Sequence, residues 1–231
     1  VRILFASCLE LMRSLGSLES IDRRLLQVLR TDIQGSYQSE NEEESDAIKT
    51  EIDRLIFSDE KSSEVFIRQY IEPQLADPAC NHPDVWLLSS DETFGHLRPK
   101  LSVEWLRSFP GMAFDALGNL FEVAAQFGDR ENLKKIILEH CTEFLGCCPS
   151  TTGDDDIEQR RSFWIIRAWY FFRYPPEACW KWLKADKGNL LMLHKRSGRF
   201  YRNDTPYWPD LTSDKVEAIL DAFIDKWPKV E

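Results

Sequence analysis

The chain has 231 residues, of which 43% are hydrophobic, 12% aromatic and 29% charged, with a formal net charge of −10. That apolar content suffices for a core and excludes general disorder, and the acidic balance excludes a surface that attracts nucleic acid or an anionic membrane as a whole. No apolar run approaches the roughly 18 residues needed to span a bilayer. The six cysteines form no CxxC pair, so a reducing, cytoplasmic setting is expected.

Residues 2–30 read as two helices, with Ile3, Leu4, Cys8, Leu11 and Met12 on one face and Leu18, Ile21, Leu25, Leu26 and Leu29 on the next. Gly16 and Ser17 separate them, and Glu10 interrupts the first apolar patch, which therefore reads as a core helix and not a signal peptide. After the acidic stretch Gly35 to Asp46, Ile48, Ile52, Leu55 and Ile56 keep helical register. Another helix is expected from Ser62 or Ser63, with Val65, Phe66, Ile67, Tyr70 and Ile71, limited or kinked by Pro73. Residues 1–76 thus make an N-terminal helical part.

Residues 77–100 are turn-rich and read as an irregular connection, pinned to the core by the plug Val85-Trp86-Leu87-Leu88. Residues 101–231 make a C-terminal helical-repeat part. Leu101, Val103, Trp105 and Leu106 precede Pro110-Gly111, and Phe114, Leu117, Gly118, Phe121, Ala124 and Ala125 then recur at helical spacing. Gly128, expected in a left-handed turn, ends that helix and Asp129 caps the next, which carries Leu133, Ile136, Ile137, His140, Cys141 and Phe144. Gly118, Ala124 and Ala125 are small enough to let helices approach closely. An aromatic helix runs from about Ile157 to Tyr174. Pro176 opens a helix to Lys184, Asn189 to Leu193 is a short apolar segment, and Thr212 or Ser213 caps a final helix with Val216, Ile219, Leu220, Phe223 and Ile224. No convincing alternation of period two is present. The expected fold is all-α, antiparallel helical hairpins stacked as an irregular α-solenoid without a fixed repeat length.

The stretch Ser162 to Trp182 organises the second half. Phe163, Trp164, Trp169, Trp180 and Trp182, with Trp208 and Trp227, form the expected structural hub. Residues 160–202 carry eleven basic residues against two acidic ones, Glu177 and Asp186. Arg160, Arg161, Arg167, Lys181, Lys184, Lys195, Arg196, Arg199 and Arg202 are the candidate interaction surface. Basic residues interleaved with aromatics can grip a phosphate backbone and stack bases; the same pattern complements an acidic neighbouring domain, the reading the acidic whole favours.

Catalytic and cofactor motifs are missing: no G-x-x-x-x-G-K-[ST], no G-x-G-x-x-G and no G-x-S-x-G. His140, Cys141, Cys147 and Cys148 lack zinc-ligand spacing, so His140 reads as a core imidazole bonded to a carbonyl. Asp154-Asp155-Asp156 lacks calcium-loop spacing and reads as favourable charge at a helix start. No catalytic residue, cofactor or metal is expected.

In the C-terminal half, Phe163-Trp164, Arg167-Ala168-Trp169, Trp182-Leu183-Lys184-Ala185-Asp186, Arg196-Ser197-Gly198, Trp208-Pro209, the run Lys215 to Phe223 and Trp227-Pro228 together resemble the helical region of large bacterial STAND or NACHT-type NTPases. The likeness covers about residues 112–228, and its motifs are aromatic and diffuse. It implies a place in a helical array that follows an effector and an NTPase and senses a trigger, in many cases a phage protein. The start at Val1 and the stop just after a helix are likewise expected of a segment of a longer polypeptide. The implied partner is a protein or a neighbouring domain of the same chain, with nucleic acid less favoured and no membrane.

Overall fold

In a computed structural model, residues 1–36, 42–146, 155–197 and 212–223 are described. Their regular structure is all helix, with no strand among them. The helices are α1 (Arg2–Leu15), α2 (Arg23–Ser36), α3 (Glu42–Ile56), α4 (Glu60–Ala76), α5 (Trp86–Ser90), α6 (Arg98–Ser108), α7 (Phe114–Phe127), α8 (Arg130–Gly146), α9 (Asp155–Phe171), α10 (Glu177–Ala185), α11 (Lys187–Ser197) and α12 (Ser213–Phe223), with a 3-10 helix at Glu92–Leu97 between α5 and α6. The chain forms two units, residues 1–74 with 90–97, and residues 75–89 with 98–231.

In the first unit, α1 packs on α2 and α3, and α2 on α3. Local chemistry sets the ends. Gly16 closes α1 in the left-handed region, φ 69°, donating its N–H to the Met12 carbonyl at 3.0 Å. Asp22 Oδ1 accepts the Arg24 N–H at 2.7 Å before α2. Asp59 and Ser62 exchange bonds at the start of α4, Ser62 N–H to Asp59 Oδ1 at 2.7 Å and Asp59 N–H to Ser62 Oγ at 3.2 Å. Pro73 does not stop α4, which continues to Ala76.

The core of this unit is partly ionic. Arg30 is fully buried and its guanidinium reaches Asp53 Oδ1 at 2.5 Å and Asp91 Oδ2 at 2.6 Å. Lys49 Nζ donates to the other Asp91 oxygen at 3.0 Å, and the Thr93 hydroxyl to Asp53 Oδ2 at 2.8 Å. Phe94 lies beneath the Arg30 guanidinium, 5.4 Å from ring centre to Cζ, and joins Phe57 and Phe66 in an aromatic trio. Part of the stretch read as an irregular connection is therefore a 3-10 helix fixed inside the first unit's core.

In the second unit, short connections join α6 to α7 and α7 to α8, and α6 packs on α7 while α8 packs on α9. Helix α10 packs on α8, α9 and α11. The apolar plug is buried at Val85, Leu87 and Leu88, and Arg98 Nε holds the Leu88 carbonyl at 2.9 Å. Asp129 Oδ1 accepts the Asn132 N–H at 2.7 Å and so caps α8.

Two glycines act differently from expectation. Gly128 is extended, φ −77° and ψ 167°, not left-handed. It is needed for space: a Cβ there would meet the Ala124 carbonyl oxygen at 2.6 Å and Val103 Cγ2 at 2.7 Å. A Cβ on Gly118 would meet nothing within 4 Å, so this glycine serves no close helix approach.

Candidate functional site

The aromatic helix α9 is the scaffold of the second unit. Every residue from Ser162 to Phe171 is buried, an all-round burial that a single apolar stripe does not give. Phe121 of α7 sits at the centre, with ring contacts to Phe163 at 5.6 Å, Trp164 at 5.8 Å and Phe171 at 5.6 Å, all edge-on. Trp169 and Trp182 are buried, and Trp180 is half-buried with its ring edge-on to Trp169 at 4.7 Å. Trp208 and Trp227 lie outside the described residues. Trp105, fully buried on α6, belongs with these large core side chains although the sequence offered only its helical register as a signal.

The basic residues of this segment do not form one face. Arg167 is buried, 5% exposed, and is no part of a surface: its guanidinium lies 3.1 Å from the Phe163 ring centre and 4.7 Å from that of Phe121, and Nη1 donates to the Phe163 carbonyl. Arg160 is half-buried and tied to protein groups, donating to Asp156 at 2.7 Å and to the Met112 carbonyl at 2.6 Å. Arg161 faces Glu158 at 3.4 Å. Lys181 and Lys184 are exposed on α10, Lys181 beside Glu177 at 3.1 Å and Lys184 over Trp180 at 5.8 Å. Lys195 and Arg196 belong to α11, their side chains outside the described set, and Arg199 and Arg202 lie outside the described residues altogether.

His140 also departs from expectation. Its ring stacks on Trp164 at 4.3 Å and 18°, and Nδ1 faces Glu143 at 3.2 Å rather than a carbonyl. Cys141 and Cys179 are both buried thiols; Cys141 beside it, together with burial, pushes the Cys179 thiol far up. Among the described residues no group of His, Cys, Asp and Glu could hold a metal ion, and no helix is long and apolar enough to cross a membrane.

What the structure does assemble is a cavity of about 450 Å³ lined by Arg130, Lys134, Tyr170, Phe171, Arg173, Thr212 and Lys215. Three elements supply it: the start of α8, the end of α9 with the residues after it, and the start of α12. Of its seven described lining residues four are cations and none is a carboxylate. Phe171 forms an apolar wall, with Arg130 Cζ 6.0 Å from its ring centre. Lys215 is 4% exposed, and Nζ donates to the Trp169 carbonyl at 2.7 Å. Its burial lowers the ammonium's pKa, the mark of a cation without enough compensation around it. Thr212 precedes α12 and its carbonyl accepts the Lys215 and Val216 N–H groups, so of the first-turn donors of that helix those of Ser213 and Asp214 remain. Of these residues only Arg173 and the aromatic pair fall inside the basic segment; Arg130, Lys134 and Lys215 are dispersed along the sequence, and none of them stands out there as a binding residue.

No protein-family model, curated protein or solved structure matches the chain.

Proposed function

We propose that this chain is a non-catalytic helical binding module whose second unit holds an anionic group of its ligand in the cavity between α8, α9 and α12. One observation carries the reading: four cations from three elements line one concavity, with no acid among its described lining residues. A solvated charged face would spread its charges outward, whereas here Lys215 is drawn under cover at the cost of desolvation. The role is binding, with no catalytic residue and no cofactor assigned.

The wider setting follows the resemblance of residues 112–228 to bacterial STAND or NACHT-type NTPases. In that setting the helices stack as an irregular solenoid, and the module serves trigger recognition or interdomain scaffolding in antiphage defence in the cytoplasm. The paired packing of α6 with α7 and of α8 with α9 supports such an array. The test of the binding role is calorimetric titration of the purified chain with a panel of small anions. Heat of binding that disappears in Arg130→Gln is expected; a panel without any binding removes the reading. For the defence role, deletion of this segment from the full-length protein is expected to abolish protection, and capture by the segment of neither phage nor host protein counts against it.

A nucleic-acid surface on residues 160–202 is the rival. The engagement of Arg160 and Arg167 by protein groups weakens it. It requires a steep salt dependence of binding that is lost on Arg196→Ala with Arg199→Ala.

A further inference from the structure

We propose that the ligand group taken by this cavity is the dianionic phosphate of a small phosphomonoester; the inference rests on the anion-binding reading and names its ligand class. Two of the four cations already have acids near them. Lys134 holds Glu131 at 2.7 Å, and Arg173 lies 3.9 Å from Asp214. The other two have no acid paired with them among the described residues: Arg130 Cζ lies 6.0 Å from the Phe171 ring centre, and Lys215 Nζ donates to the Trp169 carbonyl. The described residues of the site therefore offer about two net positive charges, which match a phosphomonoester carrying a charge of about −1.5 to −2 at neutral pH. A carboxylate or a phosphodiester, each with a single charge, can match buried Lys215 or exposed Arg130 but not both.

Shape points the same way. The cations come from separated helices and converge on a concavity, so they surround a terminal group from several sides; a nucleic-acid backbone is followed instead by a track of cations along an open groove. Charge-assisted bonds from a guanidinium and an ammonium suit phosphate oxygens, and the Thr212 hydroxyl with the Ser213 and Asp214 N–H groups adds neutral donors. The cavity, about 450 Å³, exceeds the phosphate itself and lies in the range of small-molecule sites. The Tyr170 and Phe171 walls fit an organic remainder with an apolar or aromatic face.

The test is isothermal titration of the whole chain at neutral pH with methyl phosphate, dimethyl phosphate, acetate and adenosine monophosphate. Methyl phosphate is expected to bind at least about tenfold more tightly than dimethyl phosphate or acetate. Adenosine monophosphate is expected to bind more tightly still. Arg130→Gln and Lys215→Met are each expected to lower methyl phosphate affinity about tenfold or more. Lys215→Met keeps the buried stem, and Arg130 is exposed, so helical content and melting temperature check that both variants fold. Equal binding of the ester, the diester and acetate overturns the dianion inference and leaves the anion reading standing. Silence from all four probes overturns both. Methyl phosphate binding unchanged in both variants places the anion elsewhere and overturns the site. A phosphoserine peptide that binds far more tightly than adenosine monophosphate overturns the small-molecule assignment, and so does a single-stranded oligonucleotide that does the same.

Discussion

Arg30 and Asp91 have no exposed side-chain surface, and each depends on the other for its charge to be tolerable. Burial pushes the Asp91 carboxyl up, but Arg30 and Lys49 more than offset it and the net shift is downward. Removing Arg30 leaves buried Asp91 with Lys49 alone and takes the guanidinium from Asp53 as well, so Arg30→Met is expected to destabilise the chain by about 3–5 kcal/mol in urea unfolding. Glu51 acts in a related way nearer the surface. The Arg54 guanidinium is the main cause, with the Leu18 N–H and the Ser17 hydroxyl adding to it, of a carboxyl lowered to about 2. A depressed carboxylate contributes stability that is present above its unfolded value of about 4.3 and lost as pH falls through the folded one. Glu51→Gln is expected to flatten the acid limb of the stability curve between about pH 4.3 and about 2; an unchanged limb would show that Arg54, half in solvent, holds it too loosely to matter. Residue roles were the least legible from sequence. Arg167 reads as surface charge because composition carries no information on burial, and only the rings of Phe121 and Phe163 around it reveal a core guanidinium.

Helix positions, by contrast, followed from apolar periodicity, because a stripe of Ile48, Ile52 and Ile56 or of Leu133, Ile136 and Ile137 is what buries a helix face. The joints were less legible, since a glycine in the sequence does not say which of its properties is used. Three glycines separate these properties. Gly16→Ala places a side chain at φ 69° and is expected to cost about 1–2 kcal/mol. Gly128→Ala meets a backbone carbonyl and Val103 and is expected to cost about 1–3 kcal/mol through displacement of α6 from α7. Gly118→Ala, inside α7 with open space around it, is expected to gain about 0.5–1 kcal/mol. Denaturant midpoints for the three variants check the set, and a destabilised Gly118→Ala would mean that α7 has a neighbour at that position. The cavity illustrates the same limit at the level of elements: Arg130 and Lys215 meet only because the starts of α8 and α12 converge, and nothing in a linear pattern brings them together.

Over the whole molecule, the all-helical class was readable from the lack of alternation, and the interior of the second half from its aromatic content. The path of the chain was not. Residues 75–89 belong with the second unit and residues 90–97 return to the first. The return carries Asp91, Thr93 and Phe94 to Arg30, Asp53 and Phe66, and turn-rich composition gives no hint of that errand. A fragment ending at residue 76 is expected to lack cooperative thermal unfolding by circular dichroism, whereas one ending at residue 97 supplies every segment of the first unit. A sharp melt from the shorter piece would show that the ionic centre is dispensable.

The same return path bears on how the protein is made. A ribosome delivers residues in order, so the first unit stays unfinished until residue 97 has emerged, after the leading segment of the second is already outside. Vectorial synthesis therefore overlaps the two maturation steps. A translational pause between residues 76 and 90 would hold Arg30 with Asp53 but without its second counter-ion, Asp91, and is the interval at which a chaperone has most to protect.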